Sequence, residues 1–202
     1  IDALAAAFLP LVAYTAVWAA LGRRSAAVAA ASLAFFVFAV PVWAALTPAL
    51  QWITAQVASA ALAAVGLRVH VEGSFVAIPA GNFEIAGGCS GTSFLVVALA
   101  LAYLYAFTLR LPSGRAALLG LLAAMIALVA NWVRVAVIIA VGEATRMQSP
   151  LIADHYAFGW WVFAGAMAGF TALARLWRAP DEPVEGGVAS TDGVAGPGVA
   201  AA

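Results

Sequence analysis

The chain has no lysine, a single cysteine and little charge of either sign. Charged residues make up 9% of the 202, where a soluble domain carries about 25%, so a water-facing surface cannot be clothed. Nine arginines balance nine acidic residues, and a formal net charge of zero leaves no electrostatic footprint for nucleic acid. One cysteine, Cys89, excludes an intrachain disulfide and a cysteine metal cluster. Two histidines, His70 and His155, make a poor ligand set for haem or a metal, so no cofactor and no metal is expected. What the chain has in excess is apolar: 66% hydrophobic residues and a mean hydropathy of +1.05. These absences and this excess describe an integral membrane protein.

Runs of about 20 apolar residues suffice to cross a bilayer core. Five are present, at about 3–21, 26–46, 91–109, 116–141 and 156–177. Residues 3–21 lack a basic leader and read as a span rather than a secretory signal. The chain opens on Ile1 rather than methionine, which leaves room for an upstream segment. Five alternating crossings put Arg23, Arg24, Arg110, Arg115, Arg175 and Arg178 on one side, the cytoplasm by the positive-inside rule. Residues 47–90 and 142–155 then face the periplasm or exterior. The expected fold is an all-α integral membrane protein: a multispan bundle of about five transmembrane helices, with a small extracytoplasmic β element and an interfacial helix. Residues 1–178 form the transmembrane domain. Residues 179–202, rich in Gly, Ala, Val, Pro and acidic residues without periodicity, are expected to be a disordered tail. The expected location is the cell (inner) membrane, as a multi-pass protein.

The interfacial helix is the reading of 49–66. Leu50, Ile53, Val57 and Ala61 fall at helical spacing, while Gln51, Thr54, Gln56 and Ser59 interrupt the run. From 67 to 86 the period changes to two. Leu67, Val69 and Val71 alternate with Arg68, His70 and Glu72, and with turn residues at Gly73-Ser74 and Pro79-Ala80-Gly81-Asn82 the stretch reads as a small β-hairpin or a three-stranded element outside the bilayer.

Three segments carry residue types that do chemistry. Cys89 lies in the turn Gly87-Gly88-Cys89-Ser90-Gly91, just ahead of an apolar helix whose N-terminal field and unpaired amides favour negative charge. Its small neighbours let a substrate backbone approach. A lone cysteine is otherwise a small buried hydrophobe. Arg134 sits inside an apolar helix, where a charge is costly unless paired or hydrated. Asn131, one turn earlier on the same face, is placed to orient the guanidinium. The bland alternative is an Arg134 that snorkels to the interface or pairs with Glu143 or Glu84. His155 opens the last helix, and its imidazole is suited to proton transfer near neutral pH. Asp154 beside it reads as a helix cap more readily than as a third catalytic member. His70, on the exposed face of a strand candidate, is the weaker histidine, and Ser90 and Ser93 lack a histidine partner of their own. The topology brings cysteine, arginine and histidine to one membrane face, as acyl transfer through a thioester requires.

At these segments the sequence resembles the exosortase/archaeosortase family. Ala86-Gly-Gly-Cys89-Ser90-Gly91 is similar to its cysteine motif, Asn131-Trp-Val-Arg134-Val to its arginine motif and His155-Tyr-Ala-Phe-Gly159-Trp-Trp-Val-Phe163 to its histidine motif, in matching order over roughly 67–165. The resemblance implies Cys89 as nucleophile, Arg134 as oxyanion stabiliser and His155 as acid and base, with Asn131, Asp154 and Ser90 in support. It implies a membrane cysteine transpeptidase or protease. The expected partners are secreted proteins whose C-terminal sorting signal has a motif, a transmembrane helix and a basic cluster, a lipid-linked or other acceptor, and the membrane lipid. Five spans are fewer than many bacterial members have. The competing class is a non-catalytic scaffold or transporter subunit, in which Arg134 lines a polar cavity and Cys89 is incidental.

Overall fold

The computed structural model describes residues 3–175; Arg178 and the predicted tail 179–202 lie outside them. Helix α1 (Ala3–Phe35) is interrupted at Gly22, whose φ of 80° and ψ of 172° are not helical. Glycine tolerates this φ at no steric cost, and the break falls just before Arg23 and Arg24, where the sequence predicts a turn between two spans. The predicted span 26–46 is not one α-helix. It passes into 3-10 turns at Phe36–Ala39 and Pro41–Leu46, separated by an extended Val40. A residue preceding proline is driven to that conformation by the ring's Cδ.

Helix α2 (Thr47–Ala64) follows, then strands β1 (His70–Glu72), β2 (Phe75–Ile78) and β3 (Gly81–Glu84). The strands pair antiparallel in the order β1-β2-β3, joining as two successive hairpins, with His70 opposite Ala77 and Phe75 opposite Glu84. Of the two readings of 67–86, a hairpin or a three-stranded element, the three-stranded one is observed. A 3-10 turn at Gly87–Cys89 leads into α3 (Thr92–Thr108), α4 (Ser113–Ala144), the short α5 (Pro150–Ala153) and α6 (His155–Arg175).

Among the described residues three stretches are long and apolar enough to cross a bilayer: Phe8–Ala39, Ser113–Ala144 and His155–Arg175. Thr92–Thr108 is a shorter apolar helix. At 32 residues α4 is about 48 Å long, well beyond a hydrocarbon core of about 30 Å, and it serves two separate cores. Its first half packs with α3 and α6 around Leu119, Ala123, Ala127 and Phe163. Its second half, through Val135 and Ile139, packs with α2 and the sheet around Ala55, Leu62, Val76 and Ile85. Among the described residues the outer strands β1 and β3 each leave one edge without a strand partner, an arrangement that does not occur facing lipid hydrocarbon.

Helix α2 buries a different stripe from the predicted one. Leu50, Thr54, Ala55, Ala58, Ser59 and Leu62 face inward, while Ile53 and Val57 are half-buried and Ala61 is exposed. The cause lies across the core: the Thr54 hydroxyl donates to Ser90 O at 3.1 Å and Gln51 Nε2 to Ile85 O at 2.8 Å. Burying a hydroxyl costs little when a carbonyl receives it, so Thr54 and Gln51 turn toward the protein here rather than water, while Ser59 Oγ is buried without a partner among the described residues.

Candidate active site

The turn that carries Cys89 is fixed from several directions. Cys89 N–H donates to Ala86 O at 2.8 Å and Ser90 N–H to Gly87 O at 3.3 Å. The fully buried Ser90 gives its hydroxyl proton to Gly87 O at 2.7 Å. It is then left to accept from Thr92, whose hydroxyl lies 2.9 Å away and in turn 3.2 Å from that of Thr47. Gly91 opens α3 with a φ of +91°, and a Cβ there would stand 2.9 Å from Asn131 Nδ2, so both the backbone and the packing require glycine. Ser90 therefore supports the turn. The expectation of unpaired amides around the thiol is not met at Cys89 and Ser90, because the tight turn consumes both N–H groups internally.

Asn131 is fully buried on α4 and donates from Nδ2 to Cys89 O at 3.0 Å. It orients the cysteine turn; no hydrogen bond joins it to the guanidinium, as the spacing had suggested. Its Oδ1 is buried without a partner.

Arg134 is 2% exposed and lies between the two cores. Its Nη2 is 3.9 Å from Cys89 Sγ and 3.4 Å from His155 O, and its Cζ stands 5.5 Å from the centre of the Phe94 ring. Among the described residues no carboxylate pairs with it. Glu143 instead accepts from Ala80 N–H at 2.9 Å and anchors the β2–β3 turn, and Glu84 is exposed. Arg134 Nε is buried with no partner. Space for the guanidinium comes from Gly159 of α6, where a Cβ would lie 2.7 Å from both Cζ and Nε. Sequence reasoning gave Gly159 and Phe94 no role. The signals for Gly159 were its place one helical turn after His155 and within the stretch similar to the family's histidine motif.

His155 is half-buried at the start of α6. Its Nδ1 lies 2.9 Å from Ile152 O; a carbonyl only accepts, so Nδ1 carries the proton and Nε2 is the nitrogen left for chemistry. Arg134 contacts the backbone carbonyl of residue 155, which leaves the imidazole free of that bond. Asp154 Oδ1 accepts from Ala157 N–H at 3.3 Å, the geometry of a helix cap. His70 stands on β1, exposed and outside this cluster.

Cys89 and His155 line one cavity of about 120 Å³ together with Glu84 and apolar side chains of β3, α4 and α5. A second cavity, of about 180 Å³, is lined by Gly88 of the cysteine turn together with Phe94, Arg134 and Trp160, among others. The site thus holds a thiol, a guanidinium beside it with no carboxylate partner among the described residues, and an imidazole whose Nε2 is not taken up by the bond to Ile152 O. Arg110, Arg115 and Arg175 lie at the opposite ends of α3, α4 and α6. No curated protein and no solved structure matches the chain. One family model does, that of the transmembrane exosortases (Exosortase_EpsH), over residues 1–172. With that match covering most of its length, the chain belongs to the transmembrane exosortase family.

Proposed function

We propose that the protein is a membrane-embedded cysteine transpeptidase or protease that cleaves the C-terminal sorting signal of secreted proteins on the extracytoplasmic face, through a thioester on Cys89. The observation that carries this reading is one guanidinium nitrogen, Arg134 Nη2, lying 3.9 Å from Cys89 Sγ and 3.4 Å from His155 O. Segments 45 and 21 residues from Arg134 in sequence meet there. A charge buried without a carboxylate suits a site where negative charge develops during reaction. The same contact favours catalysis over the scaffold or transporter reading, in which nothing requires the guanidinium to face the thiol.

In the first step Cys89 Sγ bonds to the scissile carbonyl carbon and its proton passes to His155 Nε2. The carbonyl oxygen takes the electron pair and is held by Arg134, since the Cys89 and Ser90 amides are spent in the turn. Collapse breaks the C–N bond, and His155 returns the proton to the leaving amine. The thioester then passes to an amine, a lipid-linked acceptor or water, which gives up a proton and restores the thiol.

Five crossings in the inner membrane fit this chemistry, with residues 1–178 as the membrane domain and 179–202 as a tail. The break at Gly22 supports a turn between the first two spans. The arginine-bearing ends of α3, α4 and α6 support a cytoplasmic side opposite the cysteine. The substrates are secreted proteins bearing a sorting motif, a transmembrane helix and a basic cluster. Co-expression with such a protein tests the reading. The tail is removed by the wild type and retained with Cys89→Ala at equal expression; equal processing by both would end Cys89 as the nucleophile.

A further inference from the structure

We infer that the cavity of about 120 Å³ beside Cys89 is a specificity subsite that takes one aliphatic side chain of the substrate, that of the residue whose carbonyl forms the thioester. This rests on the transpeptidase reading above. Six of its lining residues are apolar: Phe83, Ile85, Val135, Ile138, Ile139 and Ile152. They come from β3 and the residue after it, the second half of α4 and α5, and Ile85, Val135 and Ile139 are buried members of the core shared by α2 and the sheet. Cys89 is itself part of the lining. In a thioester the side chain of the acyl residue branches from the atom next to the carbonyl carbon, which brings it within reach of a cavity that the sulfur borders. Arg134 is not among the residues lining this cavity and lines the second one, so the oxyanion and this side chain point to different places.

Volume and polarity set the class of occupant. A cavity of about 150 Å³ accepts benzene when lined by similar side chains. The smaller space of about 120 Å³ matches valine, leucine or isoleucine better than the larger indole. An acidic side chain would lose its hydration against the apolar walls and would meet Glu84 there.

Because Cys89 is the only cysteine, its alkylation is read without ambiguity by intact mass. The probes are N-acetyl-aminoacyl chloromethyl ketones with valine, leucine, phenylalanine, tryptophan and aspartate side chains. In each, Sγ displaces chloride to form a thioether and the thiol proton leaves to His155 or solvent. With the purified full chain in detergent, rates normalised to iodoacetamide are expected to be at least tenfold higher for valine and leucine than for tryptophan and aspartate. Ile139→Trp, which fills the cavity, is expected to abolish that preference, and Ile139→Ala, which enlarges it, to shift it toward phenylalanine. Equal normalised rates across the series, or a preference unchanged in both variants, would overturn the subsite while leaving Cys89 as an accessible nucleophile. Reaction with iodoacetamide but with no chloromethyl ketone also overturns it. Silence toward iodoacetamide as well removes the accessible nucleophile, and with it both readings.

Discussion

The two cores joined by α4 are built from different residues. Six of the ten buried side chains in the bundle of α3, α4 and α6 are alanine, against two of eight in the core shared by α2, the sheet and the end of α4, where branched aliphatics dominate. In lipid a buried leucine gains nothing over an exposed one, so helices associate by close backbone approach, which small residues permit. Where water is the solvent, a core is instead held by withdrawing aliphatic surface from it, to which branched side chains are suited. Arg134 stands at the seam, too deep for bulk solvent yet beside the cavities that flank Cys89. The seam is where a buried charge can meet a substrate.

The largest expected effect is at that seam. Arg134→Met is predicted to lower turnover of a processed substrate by about 10²–10³-fold, the loss seen when one oxyanion donor is removed. Its thermal midpoint is expected to hold or rise, because a guanidinium with a buried, unpartnered Nε is a stability liability. Unfolding of this variant would make Arg134 structural. Gly159→Ala comes next. A Cβ 2.7 Å from Arg134 Cζ must displace the guanidinium, and misplacement of about 1 Å is predicted to cost up to about 10²-fold in rate. Gly169→Ala on the same helix meets nothing within 4 Å and serves as the control. Equal rates for the two variants would break the link between Gly159 and the site.

The contrast between the cores is sharpened by opposite substitutions, followed by thermal unfolding. Ala127→Leu, at a fully buried position of the bundle, is expected to push helices apart at a cost of about 1–3 kcal/mol. Val76→Ala in the other core, also fully buried, is expected to cost about 2 kcal/mol through lost burial and a cavity. If Ala127→Leu were stabilising, close approach would not be what holds the bundle. The smallest effect is expected from Thr54→Val, which removes the bond to Ser90 O and is predicted to cost about 1–2 kcal/mol. Cysteine labelling should change by only a few-fold, and an unchanged stability would show that the α2 hydroxyl does not hold the turn.

Much of the site was legible because its members are chemically conspicuous: one cysteine in a glycine-rich turn, one arginine within an apolar run and one histidine at a helix start. The cap at Asp154 was equally legible, since it bonds within its own turn. Asn131 was named, but its partner was not. Its side chain reaches a carbonyl 42 residues away instead of the guanidinium one turn along. The stripe of α2 was misread for the same reason, because a threonine in an apolar helix looks water-facing until a distant carbonyl receives it.

Composition and local periodicity by themselves determined that the chain is a membrane protein, that 67–86 forms strands and that three reactive side chains begin or interrupt apolar helices. Those properties depend on residues a few positions apart. Only the tertiary structure decided that α4 runs through two cores, that Gly159 makes room for Arg134 and that the amides of Cys89 and Ser90 are spent within the turn. Each of these is a question of which groups meet across the chain, and a buried polar group is settled by the partner that reaches it.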